Sequence, residues 1–127
     1  MKNPHTSIRR LVSILAGVIA VVATATHASG QATWTTKASM PTPRLNHGVG
    51  VVDGIVYAVG GFNNPTGAQA TVEAYNPFTD TWSTRASMAT IRSGVGIGVI
   101  DGILYAVGGD SDAGNTAFLA SVEAYMS

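Results

Sequence analysis

The chain has 127 residues, room for one domain, of which 46% are apolar and only 11% charged, with a formal net charge of zero. It holds no cysteine, which excludes disulfides, zinc–thiolate sites, a thiol nucleophile and lipid attachment at a mature N-terminal Cys. Beyond residue 28, Lys37, Arg44, Arg85 and Arg92 stand against seven acids, a balance of about −3, so a nucleic-acid partner, which needs clustered Lys and Arg, is not expected.

The N-terminus reads as an address. Residues 1–10 carry Lys2, Arg9 and Arg10, residues 11–23 (LVSILAGVIAVVA) are apolar, and residues 24–30 are small and polar. Basic, then apolar, then small is the layout of a secretory signal peptide, predicted as a helix over 1–28 with cleavage after Ala28 or after Ala25. The apolar run is short of the roughly 20 residues that a permanent span needs, so membrane contact is expected only through an uncleaved leader. The expected location is secreted or periplasmic.

Residues 29–127 are one unit written twice. With Trp34 set on Trp82, the chain matches itself at an offset of 48: Ala38-Ser39-Met40 on Ala86-Ser87-Met88, Arg44 on Arg92, and Gly48 and Gly50 on Gly96 and Gly98. Asp53-Gly54-Ile55 falls on Asp101-Gly102-Ile103, and Tyr57-Ala58-Val59-Gly60-Gly61 on Tyr105-Ala106-Val107-Gly108-Gly109. Val72-Glu73-Ala74-Tyr75 matches Val122-Glu123-Ala124-Tyr125 at an offset of 50.

Each unit predicts four short antiparallel strands. Residues 49–52 and 55–59 are rich in β-branched and aromatic residues and flank Asp53-Gly54, a two-residue hairpin turn that needs positive φ; residues 99–105 repeat the device. A polar loop follows (62–68 or 110–117), then a third strand (70–75 or 119–125). Asn76-Pro77-Phe78-Thr79-Asp80 is a turn, and Thr81-Trp82-Ser83-Thr84 opens the fourth strand. Such units of nearly 50 residues have the arithmetic of propeller blades, so the fold class is all-β.

Taken in order, Pro43-Arg44, Gly-x-Gly, Asp53-Gly54, Tyr57-Ala58-Val59-Gly60-Gly61, Val72-Glu73-Ala74-Tyr75-Asn76-Pro77 and Thr81-Trp82 resemble the kelch repeat, over residues 33–125. Ile91 departs from it where Pro43 would recur. The resemblance implies a member of the galactose oxidase-like propeller superfamily. Residues 33–38 would be a lone outer strand, 44–86 a full blade, and 92–125 a blade lacking its outer strand. It implies structural roles for Gly60, Gly61, Gly108, Gly109, Tyr75, Tyr125 and Trp82, and for Arg44 and Arg92, suited to bond Glu73 and Glu123. Ligand contacts in such proteins tend to come from loops at one end, here Leu45, Asn46, Ser93, Phe62, Asn63, Asn64, Asp110 and Asp112, with Phe62 as the aromatic anchor.

No catalytic constellation emerges. His47 is the one histidine beyond residue 28, which with no cysteine rules out the copper site of some kelch enzymes. The Gly-x-Gly runs lie inside strands and not before a helix, so they do not form a dinucleotide fingerprint. Asp110-Ser-Asp112-Ala-Gly114-Asn115 starts like a calcium loop, but Ser121 stands where the twelfth-position acid is due. No cofactor or metal is expected. The expected function is a secreted binding or scaffold module for a protein or glycan, not an enzyme. The alternative is part of a carbohydrate-active kelch enzyme, such as a mutarotase or epimerase. Two blades cannot close a ring of about 4–8. The chain is therefore expected either to be a fragment of a longer propeller, which the stop at Met126-Ser127 favours, or to complete a ring as a homo-oligomer by strand exchange.

Overall fold

The computed structural model describes residues 30–112 and 116–127; the expected leader and its helix lie outside the described residues. The chain divides into two compact units, Met1–Trp34 and Thr35–Ser127. Within the first, the described residues 30–34 are exposed and carry no regular structure.

The second unit holds nine strands, and no helix, among the described residues: β1 (Gly48–Val52), β2 (Ile55–Val59), β3 (Phe62–Asn63), β4 (Gly67–Ala68), β5 (Val72–Asn76), β6 (Thr81–Arg85), β7 (Gly96–Ile100), β8 (Ile103–Val107) and β9 (Val122–Tyr125). Repeat one forms a four-stranded antiparallel sheet, β1-β2-β5-β6, and repeat two a three-stranded sheet, β7-β8-β9. Both hairpins turn where Asp-Gly predicts. Val52 pairs with Ile55 across Asp53 (φ 49°) and Gly54 (φ 77°), and Ile100 pairs with Ile103 across Asp101 and Gly102 at nearly the same angles. The β5–β6 turn is closed by the Asn76 side chain, whose oxygen accepts the Phe78 N–H at 2.9 Å.

Because side chains alternate along a strand, each sheet has two distinct faces. On the first sheet one face carries Gly48, Gly50, Val52, Tyr57, Val59 and Ala74. It packs against Ile97, Leu104, Ala106 and Tyr125 of the second sheet. Glycine at 48 and 50 is what lets the sheets approach: a Cβ at Gly48 would strike the Ile97 side chain, and one at Gly50 would lie 2.8 Å from it. The Tyr57 and Tyr125 rings meet at 5.6 Å.

Two sequence expectations are corrected. Residues 62–68 are not only a loop: Phe62 pairs with Ala68 and Asn63 with Gly67, a small extra hairpin made possible by Gly67 at φ +83°. Residues 33–38 form no strand. A strand needs an edge to bond, and the matching segment, β6, finds its edge on β5, whereas 33–38 has no such ladder. Its end is fixed otherwise: the Ala38 N–H donates to Asp80 Oδ1 at 2.8 Å, and Trp82 Nε1 donates to the Ala38 carbonyl at 2.8 Å.

Candidate functional site

The connections that leave the inner strands of both repeats meet at one end of the sheets. Leu45 and Phe62 exchange backbone hydrogen bonds at 2.9 and 2.7 Å, and Ser93 and Asp110 repeat the pair at 2.7 and 2.8 Å. The repeats are then cross-linked: the Gly94 N–H donates to the Asn46 carbonyl at 2.9 Å, and the Gly61 N–H to the Arg92 carbonyl at 2.7 Å. Asp110 also bridges to Phe118. Loops from both blades thus form one hydrogen-bonded platform.

Glycine is obligatory beneath it. Gly61 has φ +102°, and a Cβ there would sit 2.7 Å from the Leu45 carbonyl oxygen; Gly109 has φ +93°, with the Ser93 oxygen at 2.7 Å.

Two buried arginines clamp the platform to the sheets. Arg44 Nη2 pairs with Glu73 at 3.1 Å and also donates to the Ala58 carbonyl. Arg92 Nη2 pairs with Glu123 at 3.0 Å, and its Nη1 donates to the carbonyls of Gly108 and Ser121 at 2.8 and 3.0 Å. Burial lowers the Arg44 pKa, against the opposing pull of Glu73. Burial alone would raise the Glu123 pKa. The N–H of Ala89, the Arg92 side chain and Thr90 outweigh it and hold that carboxyl below its ordinary range. At the outer rim Tyr75 stacks on Trp82 at 5.2 Å and donates its hydroxyl to Asp80 at 2.7 Å. That bond raises the Tyr75 pKa. The Ala38 N–H, followed by the Tyr75 hydroxyl, lowers that of Asp80.

The predicted ligand-contact residues separate by exposure. Leu45, Asn46 and Asn64 are open to solvent, while Phe62, Asn63 and Asp112 are half-buried. Ser93 and Asp110, expected as contacts, are 9% and 5% exposed, because they are the central pair of the platform's own ladder. Asp110 keeps one buried oxygen, Oδ2, without a hydrogen-bond partner among the described residues, and His47 a buried ring nitrogen, Nδ1. Asp112 is occupied by Thr116, which donates to it through both its N–H and its hydroxyl. Part of the calcium-like run, residues 113–115, lies outside the described residues. Among the described residues, no three His, Cys, Asp or Glu side chains converge as a metal site. One platform residue escaped the sequence reading: Phe118, exposed, at the place of Ala68 in repeat one. The signal was present, an aromatic residue directly after the polar loop 110–117, at the 50-residue offset from Ala68.

Antiparallel sheets of four and three strands, each entered by an Asp-Gly hairpin, stacked face to face and tied together by their end loops, have the arrangement of a pair of β-propeller blades, the second without its outer strand. The chain belongs to the kelch family: the kelch motif matches residues 43–89 and 91–125. Among solved structures 106 chains match it. One, described as the structure of YjhT, is 30% identical with a TM-score of 0.57, over 63% of this chain and 25% of that one. The chain therefore spans about a quarter of that protein's length. A search of curated proteins returns no match.

Proposed function

We propose that the chain is an exported, non-catalytic kelch module that binds a protein surface through its loop platform. The observation that carries this reading is the platform itself, in which loops of both repeats are bonded to each other and still present Leu45, 55% exposed and bridged to Phe62, and Phe118, 77% exposed and bridged to Asp110. Apolar and aromatic side chains held on a rigid base are the usual anchors of protein interfaces. The basic, apolar and small segments of residues 1–28 support export.

The test pans the immobilised full chain against a random peptide display library and, in parallel, against a glycan array. Selected peptides should lose at least tenfold in affinity to a Leu45→Ala/Phe118→Ser double variant. They should keep it with Phe78→Ala, whose equally exposed ring sits on the β5–β6 turn. Binding confined to glycans replaces the protein ligand with a sugar. Peptides insensitive to the double variant refute the platform as the site.

A further inference from the structure

The two outward sheet faces of this pair are copies of the two faces already buried between its blades. The free face of the second sheet carries Gly96, Gly98, Ile100, Tyr105, Val107 and Val122, which match Gly48, Gly50, Val52, Tyr57, Val59 and Val72 of the buried face. The free face of the first sheet carries Val49, Val51 and Val56, which match Ile97, Val99 and Leu104, the side chains those glycines receive. Val49, Val51, Ile100, Val107 and Val122 are each about half exposed or more.

Gly96 and Gly98 make the point sharpest. A Cβ on Gly98 meets nothing within 4 Å, one on Gly96 makes only an ordinary contact, and neither residue has the positive φ that favours glycine. Nothing among the described residues requires glycine at either place, whereas their counterparts are the points of closest approach. A free edge accompanies the free face. In repeat one, β6 bonds β5 and lays Trp82 on Tyr75, with the indole N–H on the Ala38 carbonyl. In repeat two, β9 has no outer partner among the described residues. The matching segment, Thr33-Trp34-Thr35-Thr36-Lys37, precedes an Ala38 that is held on the Tyr75 and Trp82 side of the first sheet. The groove beside Tyr125 opens against the opposite side, at Val59 and Val72.

We infer that the occupant of these faces is a second copy of this chain, docked head to tail. The Val49–Val51 face of one copy seats on the Gly96–Gly98 face of the next. The docked copy's residues 33–37 become the missing outer strand along β9, with Trp34 on Tyr125 and its N–H on the Ala86 carbonyl, as Trp82 stands to Tyr75 and Ala38. Two unlike faces on one chain give a heterologous contact, which closes into a ring when its rotation divides a full turn. With two blades per chain, a propeller of about 4–8 blades closes with two to four copies. This uses the sheet faces and one strand edge, not the loop platform, so it stands apart from the binding reading.

The experiment measures solution mass by light scattering after chromatography, on the full chain from an exporting host. Three samples are compared: wild type, Gly98→Val, which fills one face, and Val51→Lys, which charges the other. Circular dichroism establishes that both variants keep their sheet. Wild type is expected as one species of two to four chain masses, and each variant alone as a single chain. An equal mixture of the variants retains one good face from each and is expected at two chain masses. A folded wild type of one chain mass, or an aggregated one, overturns the inference and assigns the faces to further blades or to another protein. A variant that keeps the wild-type mass, or a mixture that stays at one chain mass, overturns the head-to-tail order.

Discussion

Replacing Arg92 with Met keeps the apolar stem of the side chain and removes the guanidinium with its charge and donors, so the change bears on the clamp far more than on the packing of the stem. Arg92 is fully buried and holds Glu123 together with the carbonyls of Gly108 and Ser121. After the substitution Glu123 keeps the N–H groups of Ala89 and Thr90, and its side chain is 24% exposed, so water relieves part of the lost pair. The Ser121 carbonyl keeps the Gly108 N–H. Removing one partner of a buried pair costs roughly 3–5 kcal/mol, and these compensations place the cost near the lower end, about 3 kcal/mol. A domain of this size has only about 5–15 kcal/mol in total. In urea unfolding followed by circular dichroism, the midpoint should fall by about 1–2 M with the slope unchanged. The Glu123 pKa is depressed in the folded state, so its contribution is present above the ordinary carboxylate range and lost as pH falls through the folded value. Without Arg92 that depression is smaller, and the gap between wild type and variant should narrow at acid pH. A loss under about 1 kcal/mol, or a gap that widens in acid, would refute a clamp that works through charge.

Gly61→Ala places a methyl 2.7 Å from the Leu45 oxygen at φ +102° and should cost roughly 2–4 kcal/mol in the same assay; a neutral result would mean that the platform yields easily. Asp80→Asn weakens the hydrogen bond to Tyr75 and removes the carboxylate charge, both of which raise the Tyr75 pKa, so tyrosinate absorbance should appear at lower pH than in wild type. It also removes the acid-side loss of stability that comes with a depressed Asp80, present above the ordinary carboxylate range and lost as pH falls, and so flattens the acid limb of the stability profile.

The strands were legible because they are local. Asp53-Gly54 and Asp101-Gly102 fix two hairpins by backbone geometry alone, and the runs on either side are rich in β-branched and aromatic residues. Arg44 and Arg92 could be matched to Glu73 and Glu123 because the repeat moves both partners together. Exposure in the platform was not legible. Ser93 and Asp110 read as loop residues, yet they lie beneath the loops, since burial there depends on which carbonyl each N–H reaches across the blade. The β3–β4 hairpin was hidden for the same reason: two pairs of residues around Asn64-Pro65 carry no periodicity to read.

A repeat also lets position and environment be separated. Ile97 and Val49 occupy the same place in their two units, with the same strand, face and register. Ile97 receives the backbone of Gly48 and Gly50, while Val49 is 54% exposed. Ile97→Ala should therefore cost about 2 kcal/mol, the low end for a core aliphatic residue because Ile97 is only partly buried. Val49→Ala should stay within about 0.5 kcal/mol for a single chain, as surface changes do. The two costs are equal only if Val49 is covered as Ile97 is. Unfolding midpoints measured across a range of protein concentrations distinguish the cases. A Val49→Ala penalty that grows as the protein is concentrated means that another copy supplies the cover. A penalty near that of Ile97 in a sample that light scattering shows to be a single chain would show that burial does not set the difference, and the reasoning from faces would fall.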